Sequence, residues 1–137
     1  MTGPFFVDTN VLVYADDLDA GPKREAARAL LRQVVPTGDA VLSLQVLQEF
    51  FAVATRRLGL APEAARARVE ALSRLEVVAP RVDDLLAAID LHRLHSLSIW
   101  DALVVRAALV SRCRVLYTED LQHGRRFEAL EVVNPFL

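Results

Sequence analysis

The chain predicts a three-layer α/β/α domain around a central, mostly parallel sheet of four to five strands. Two observations carry that expectation. Short apolar runs of strand length alternate with longer stretches of helical periodicity, and strands separated by helices imply right-handed crossovers. Glycine and proline mark the junctions, at Gly21-Pro22, Pro36, Gly59, Pro62 and Asn134-Pro135. No repeat, linker or low-complexity segment divides residues 1–137, so a single domain is expected.

Pro4 to Val7 predicts a short buried strand, and a helix over Thr9 to about Asp16 opens straight after Asp8. The next helix begins at Gly21-Pro22, with proline in a first turn where its missing N–H does no harm. It carries Ala26, Ala29, Leu30 and Val34 at helical spacing and stops before Pro36. Ala40 to Leu42 is a second strand, and Ser43 can cap a helix running to Arg57 and ending at Gly59. Pro62 opens a helix to about Leu75, followed by a strand at Glu76 to Ala79. Arg81 to His95 reads as a helix with Val82, Leu85, Leu86 and Ile89 on one face. Ser98 can cap a helix from Ile99 to Arg112, after which come strands at Val115–Thr118 and Glu131–Val133.

At 137 residues, 53% hydrophobic and 25% charged, the chain suits one globular core rather than a disordered tail. Its apolar stretches are broken by Asp101, Arg106 and Arg112, too short for a membrane span. No basic-then-apolar leader opens the chain, so the cytoplasm is the expected location. The single cysteine, Cys113, excludes an internal disulfide framework and a cysteine-based zinc site. A net charge of −2 excludes coating nucleic acid by bulk positive charge. Of sixteen basic residues fifteen are Arg and only Lys23 is lysine, which suits phosphate recognition and GC-rich coding equally.

Four acids fall where predicted elements begin or end: Asp8, Glu49, Asp101 and Asp120. In an open α/β sheet such strand ends face one crevice, where ligands bind. Asp8 also suits a helix N-cap, Glu49 a solvated polar stripe with Gln45, Gln48, Ala52 and Arg56, Asp101 a reciprocal cap with Ser98, and Asp120 a turn. Their joint placement carries the weight. Converging carboxylates repel by roughly 4 kcal/mol per pair at about 4 Å and an effective dielectric near 20, so a divalent cation is expected among them. That points to metal-assisted phosphodiester chemistry.

Other chemistries lack their motifs. There is no Gly-rich phosphate loop followed by Lys and Ser or Thr, no G-x-G-x-x-G and no G-x-S-x-G elbow. An aspartyl-nucleophile phosphatase needs a second Asp two positions after the first, where this chain has Asn10. His92 and His95 have ligand-like spacing but no third partner, and with His123 they are expected as solvated surface residues.

The segments Val7-Asp8-Thr9-Asn10, Glu49-Phe50, Trp100-Asp101-Ala102-Leu103, Leu116 to Gly124 and Val132-Val133-Asn134-Pro135-Phe136 resemble, in order, the signature segments of the PIN-domain family. In length and wording the chain is most similar to VapC-type toxins of toxin–antitoxin pairs. The resemblance implies a PIN-like fold and a Mg²⁺- or Mn²⁺-dependent ribonuclease whose acids are Asp8, Glu49, Asp101 and, more variably, Asp120. Thr118 would stand at the site's edge, with Thr9 and Asn10 beside it, and Glu119 would replace or assist Asp120. The family further implies a homodimer and inhibition by a cognate antitoxin protein.

On this reading Asp8, Asp101 and Asp120 hold metal, while Glu49 orients or deprotonates the attacking water. Apolar helical faces near residues 44 to 75 would supply a groove for an amphipathic antitoxin helix. Other readings stay open from sequence: a catalytically silent RNA- or protein-binding module, a Mg²⁺-dependent phosphatase, or cleavage of DNA.

Overall fold

The computed structural model describes residues 2–137. Its elements follow the expected alternation: β1 (Phe5–Val7), α1 (Thr9–Asp16), α2 (Pro22–Val34), a 3₁₀ turn (Val35–Thr37), β2 (Ala40–Ser43), α3 (Leu44–Arg56), α4 (Pro62–Leu72), β3 (Glu76–Val78), α5 (Val82–His95), α6 (Ile99–Val110), β4 (Val115–Tyr117), β5 (Arg126–Phe127) and β6 (Leu130–Val133). The sheet order is β3-β2-β1-β4-β6-β5, with every pair parallel except β5–β6. The sheet thus has six strands, one more than expected. The extra strand, β5, is two residues long and pairs antiparallel with β6.

Crossover handedness distributes the helices. From β1 to β2 to β3 the chain steps one way across the sheet, and from β3 to β4 it steps back past β1. Right-handed crossovers then place α1 to α4 on one face and α5 with α6 on the other. The contacts agree: α1 packs on α2 and α3, α3 on α4, and α5 on α6, which lies against β2 and β4. Three layers result. Phe6, Val41, Leu42, Leu116 and Val132 are fully buried in the sheet, with Phe50 and Val46 covering them from α3 and Val105 and Ala108 from α6.

Because β1 lies between β2 and β4, the strand order reverses there, and the crevice at the C-terminal ends of β1 and β4 is the topological switch point. Among the described residues no helix is long and apolar enough to cross a membrane.

The face of α5 departs from a simple core-facing reading. Val82 is 71% exposed and Leu86 55%, while Ala88 is the residue buried from this helix. On α6, Trp100 and Val110 are likewise exposed although Ala102, Val104, Val105, Ala107 and Ala108 are buried.

Candidate active site

Asp8 leaves the buried strand β1 and caps α1. One carboxylate oxygen accepts the Thr9 backbone N–H at 2.7 Å, and the other accepts the Thr118 hydroxyl at 2.8 Å. The side chain is only 5% exposed, so the carboxylate gives up water and gains two donors in exchange. Burial dominates: it drives the Asp8 pKa from 3.8 to about 7, against those two hydrogen bonds, with Asp120 and Glu49 adding like-charge repulsion.

Thr118, fully buried after β4, is a second hub. Its oxygen accepts the Asp120 backbone N–H and the Asn10 amide, both at 3.1 Å. The Asn10 amide also reaches Asp120 at 3.2 Å and lies 3.5 Å from Asp8. Asn10 therefore stitches the end of β1 to the end of β4. The first turn of α1 presents it inward two residues after the cap.

Glu49 comes from the second turn of α3. Its carboxylate accepts the Gln45 amide at 2.6 Å and faces the Thr9 hydroxyl at 3.4 Å. Gln45 also touches the Trp100 carbonyl at 3.3 Å, which ties α3 to the start of α6. Asp101 sits in the first turn of α6, where Ser98 accepts its backbone N–H at 3.0 Å. The Ser98 backbone N–H does not complete the expected reciprocal cap, while the Ser98 side chain also touches the Asp101 carboxylate. Partial burial raises its pKa, Ser98 opposes, and Glu49 adds repulsion. Asp120 is raised by partial desolvation and then by the charge of Asp101, although much of its surface meets solvent.

Repulsion thus links all four acids, Asp8 with Asp120 and Glu49, Glu49 with Asp101, and Asp101 with Asp120. None takes part in any of the ion pairs among the described residues. The donor set is oxygen-only and anionic, which fits a hard divalent cation in kind. As the side chains stand, no three His, Cys, Asp or Glu groups among the described residues close tightly enough to grip an ion. The Asn10 amide lies among Asp8, Thr118 and Asp120.

Glu119 is arranged differently. Its carboxylate accepts the Tyr14 hydroxyl at 2.6 Å and pairs with Lys23 at 3.1 Å, and Lys23 also lies over the Tyr14 ring. Its backbone N–H approaches the Asn10 amide oxygen at 3.4 Å. The side chain is thus committed to a neutralised pair on the α1–α2 side, whereas Asp120 faces the other acids.

Sequence reasoning missed Tyr14, Lys23 and Gln45. Gln45 was detectable, lying four residues before Glu49 on the same stripe, and so was Tyr14, four after Asn10. The histidines stand apart from the acids. His92 hydrogen-bonds the Leu97 carbonyl, His95 packs edge-on against Phe127, and His123 accepts the Asn134 N–H, so each has a structural contact rather than water alone.

A family model described as the PIN domain matches residues 5–128. Among solved structures, Mycobacterium tuberculosis VapC20, a sarcin–ricin loop cleaving toxin, is similar with a TM-score of 0.70 and 24% identity, over 85% of this chain and 89% of that one. A toxin–antitoxin complex from Klebsiella pneumoniae is similar with a TM-score of 0.71 and 23% identity, over 95% of this chain and 96% of that one. No curated protein sequence matches the chain.

Proposed function

The chain belongs to the PIN-domain family, and from that premise we propose that it is a divalent-metal-dependent endoribonuclease acting as the toxin of a toxin–antitoxin pair. One observation supports the reading: Asp8, Asp101 and Asp120 are each held above the ordinary carboxylate range by burial and by like charge nearby, and among the described residues neither they nor Glu49 form an ion pair. A stable fold tolerates that arrangement for what it binds.

Asp8, Asp101 and Asp120 would hold Mg²⁺ or Mn²⁺, which when bound lowers the pKa of water and neutralises charge developing on the phosphate. Thr118 and the Thr9 N–H fix the Asp8 carboxylate, and Asn10 fixes Asp120. Glu49, aimed by Gln45, accepts the proton of the attacking water. Asp120 serves as the fourth acid, because Glu119 is neutralised by Lys23. No protein nucleophile is required.

An antitoxin, homodimerisation and a cytoplasmic location complete the proposal. A groove of about 240 Å³ between α3 and α4, lined by Leu44, Leu47, Gln48, Phe51, Arg66 and Val69, supports docking of an amphipathic antitoxin helix. The acid crevice would draw a basic side chain from the same partner. The exposed apolar residues of α5 support self-association.

The test is cleavage of a mixed RNA pool by the purified chain with Mg²⁺ or Mn²⁺, then with EDTA. Metal-dependent cutting that Asp8→Asn and Asp101→Asn each remove is expected. Cutting that persists in EDTA, or hydrolysis of a phosphomonoester with indifference to RNA, would overturn the reading.

A further inference from the structure

Beside the acids lies a cavity of about 240 Å³. Thr9, Asn10, Val13 and Tyr14 line it from α1, Glu49, Val53 and Arg57 from α3, and Glu119 and Asp120 from the turn after β4. Among the described residues, Arg57 is the one cation lining it. The Arg57 backbone N–H closes the last turn of α3 onto the Val53 carbonyl at 2.8 Å, so the stem of the side chain starts from a fixed point. Its guanidinium takes part in none of the ion pairs among the described residues, although three acids line the same cavity. Lys23, by contrast, is spent on Glu119.

An uncommitted guanidinium on the rim of an anionic crevice has the charge, and the planar fork of donors, to hold a phosphate. Between it and Glu49, Val53 one turn back on α3 gives the cavity a small apolar patch. Resting on the ribonuclease reading, we infer that this cavity is a nucleotide subsite. Arg57 holds a phosphate next to the scissile one, and the intervening nucleoside passes over Val53. A polyanion approaching four acids is repelled by them, and Arg57 offsets part of that repulsion beyond the bound metal.

Arg57→Ala and Arg57→Lys are measured in two arms. In an Asp101→Asn background with Mn²⁺, binding of a fluorescein-labelled random-sequence RNA 12-mer is titrated at several salt concentrations. Arg57→Ala is expected to weaken binding about fivefold to tenfold and to lower the log–log salt slope by about 0.7, one phosphate contact on a single strand. Arg57→Lys is expected to restore the slope but only part of the affinity. In the otherwise wild-type chain, Arg57→Ala raises KM for the RNA pool, while Mn²⁺ affinity by calorimetry stays within about twofold. Val53→Phe narrows the cavity and shifts the base preference at sequenced cut ends. Unchanged salt slope and KM in Arg57→Ala, with the wild type cutting normally, overturn the subsite alone. A wild type that does not cut RNA with Mn²⁺ overturns the ribonuclease reading and the subsite with it. Loss of affinity for an acidic peptide without loss for RNA would reassign Arg57 to a protein partner.

Discussion

The C-terminal ends of β1, β2 and β4 and the outer face of α5 depart from ordinary burial in opposite directions. At the strand ends, Asp8, Thr9, Ser43 and Thr118 are polar and buried; on α5, Val82, Leu85, Leu86 and Ile89 are apolar and exposed. The energetic scales differ. Leaving a leucine in water forgoes about 1.5–3 kcal/mol of burial and strains nothing. Burying Asp8 with its pKa pushed to about 7 opposes folding of the ionised, metal-free chain by about 4 kcal/mol. The crevice is therefore a place where the fold gives up stability, and the α5 face a place where it merely declines to gain some.

The largest expected effect is at Asp8. Asp8→Asn should cut RNA cleavage by at least about a thousandfold, equivalent to roughly 4 kcal/mol of barrier. In EDTA above pH 7 it should also raise unfolding stability, by about 1–3 kcal/mol, since removing the buried charge outweighs the one acceptor that Asn lacks. Chemical denaturation of both chains in EDTA measures this. An inactive variant that is also less stable would show that the two hydrogen bonds to Asp8 outweigh the cost of its buried charge.

The pH dependence sharpens the same contrast. Asp8 has a folded-state pKa above its unfolded value, so between the two the folded chain binds the extra proton. Its contribution to stability is complete below about pH 4 and is lost as pH rises to about 7. Asp101 and Asp120, also raised, act in the same direction. The melting temperature of metal-free protein should therefore fall between about pH 4 and 7, and Mg²⁺ should recover it at neutral pH. A curve identical in Asp8→Asn would remove Asp8 as the cause.

Smaller effects follow. Thr118→Val deletes a hydroxyl that donates to Asp8 and accepts from Asn10 and the Asp120 N–H. It should weaken Mn²⁺ binding about tenfold and lower stability by roughly 1–3 kcal/mol, read by calorimetry and denaturant midpoint. Leu86→Lys on α5 should change the stability of dilute protein by no more than about 0.5 kcal/mol. A loss of several kcal/mol there would mean that the face is covered in solution, and the comparison would fail on that side.

Much of the architecture was legible because local signals agreed. Ser43 and Ser98 cap α3 and α6 as their positions suggest, accepting the backbone N–H three residues on. Pro22 and Pro62 open their helices. β5 was not legible, because two residues carry no periodicity and the strand exists only by pairing with β6. Nor was the exposure of α5: a 3.6-residue pattern reveals an apolar face but not whether another layer covers it. At the site, the family resemblance put Asn10 at the edge beside Thr118, but only the fold shows it bonding Thr118 and Asp120, residues more than a hundred positions away.

By itself, the sequence determined which side chains carry charge, where helices start, and that Asp8, Asp101 and Asp120 stand at element ends, since caps, turns and periodicity act over a few residues. Glu49, by contrast, lies mid-helix in α3. Tertiary structure alone decided that β1 sits between β2 and β4, so that Asp8 meets Thr118 and Asp120 across the switch point. It also decided that Lys23 claims Glu119 and leaves Asp120 to the crevice. Those outcomes depend on strand order and on desolvation by distant chain, and neither is encoded within any one segment.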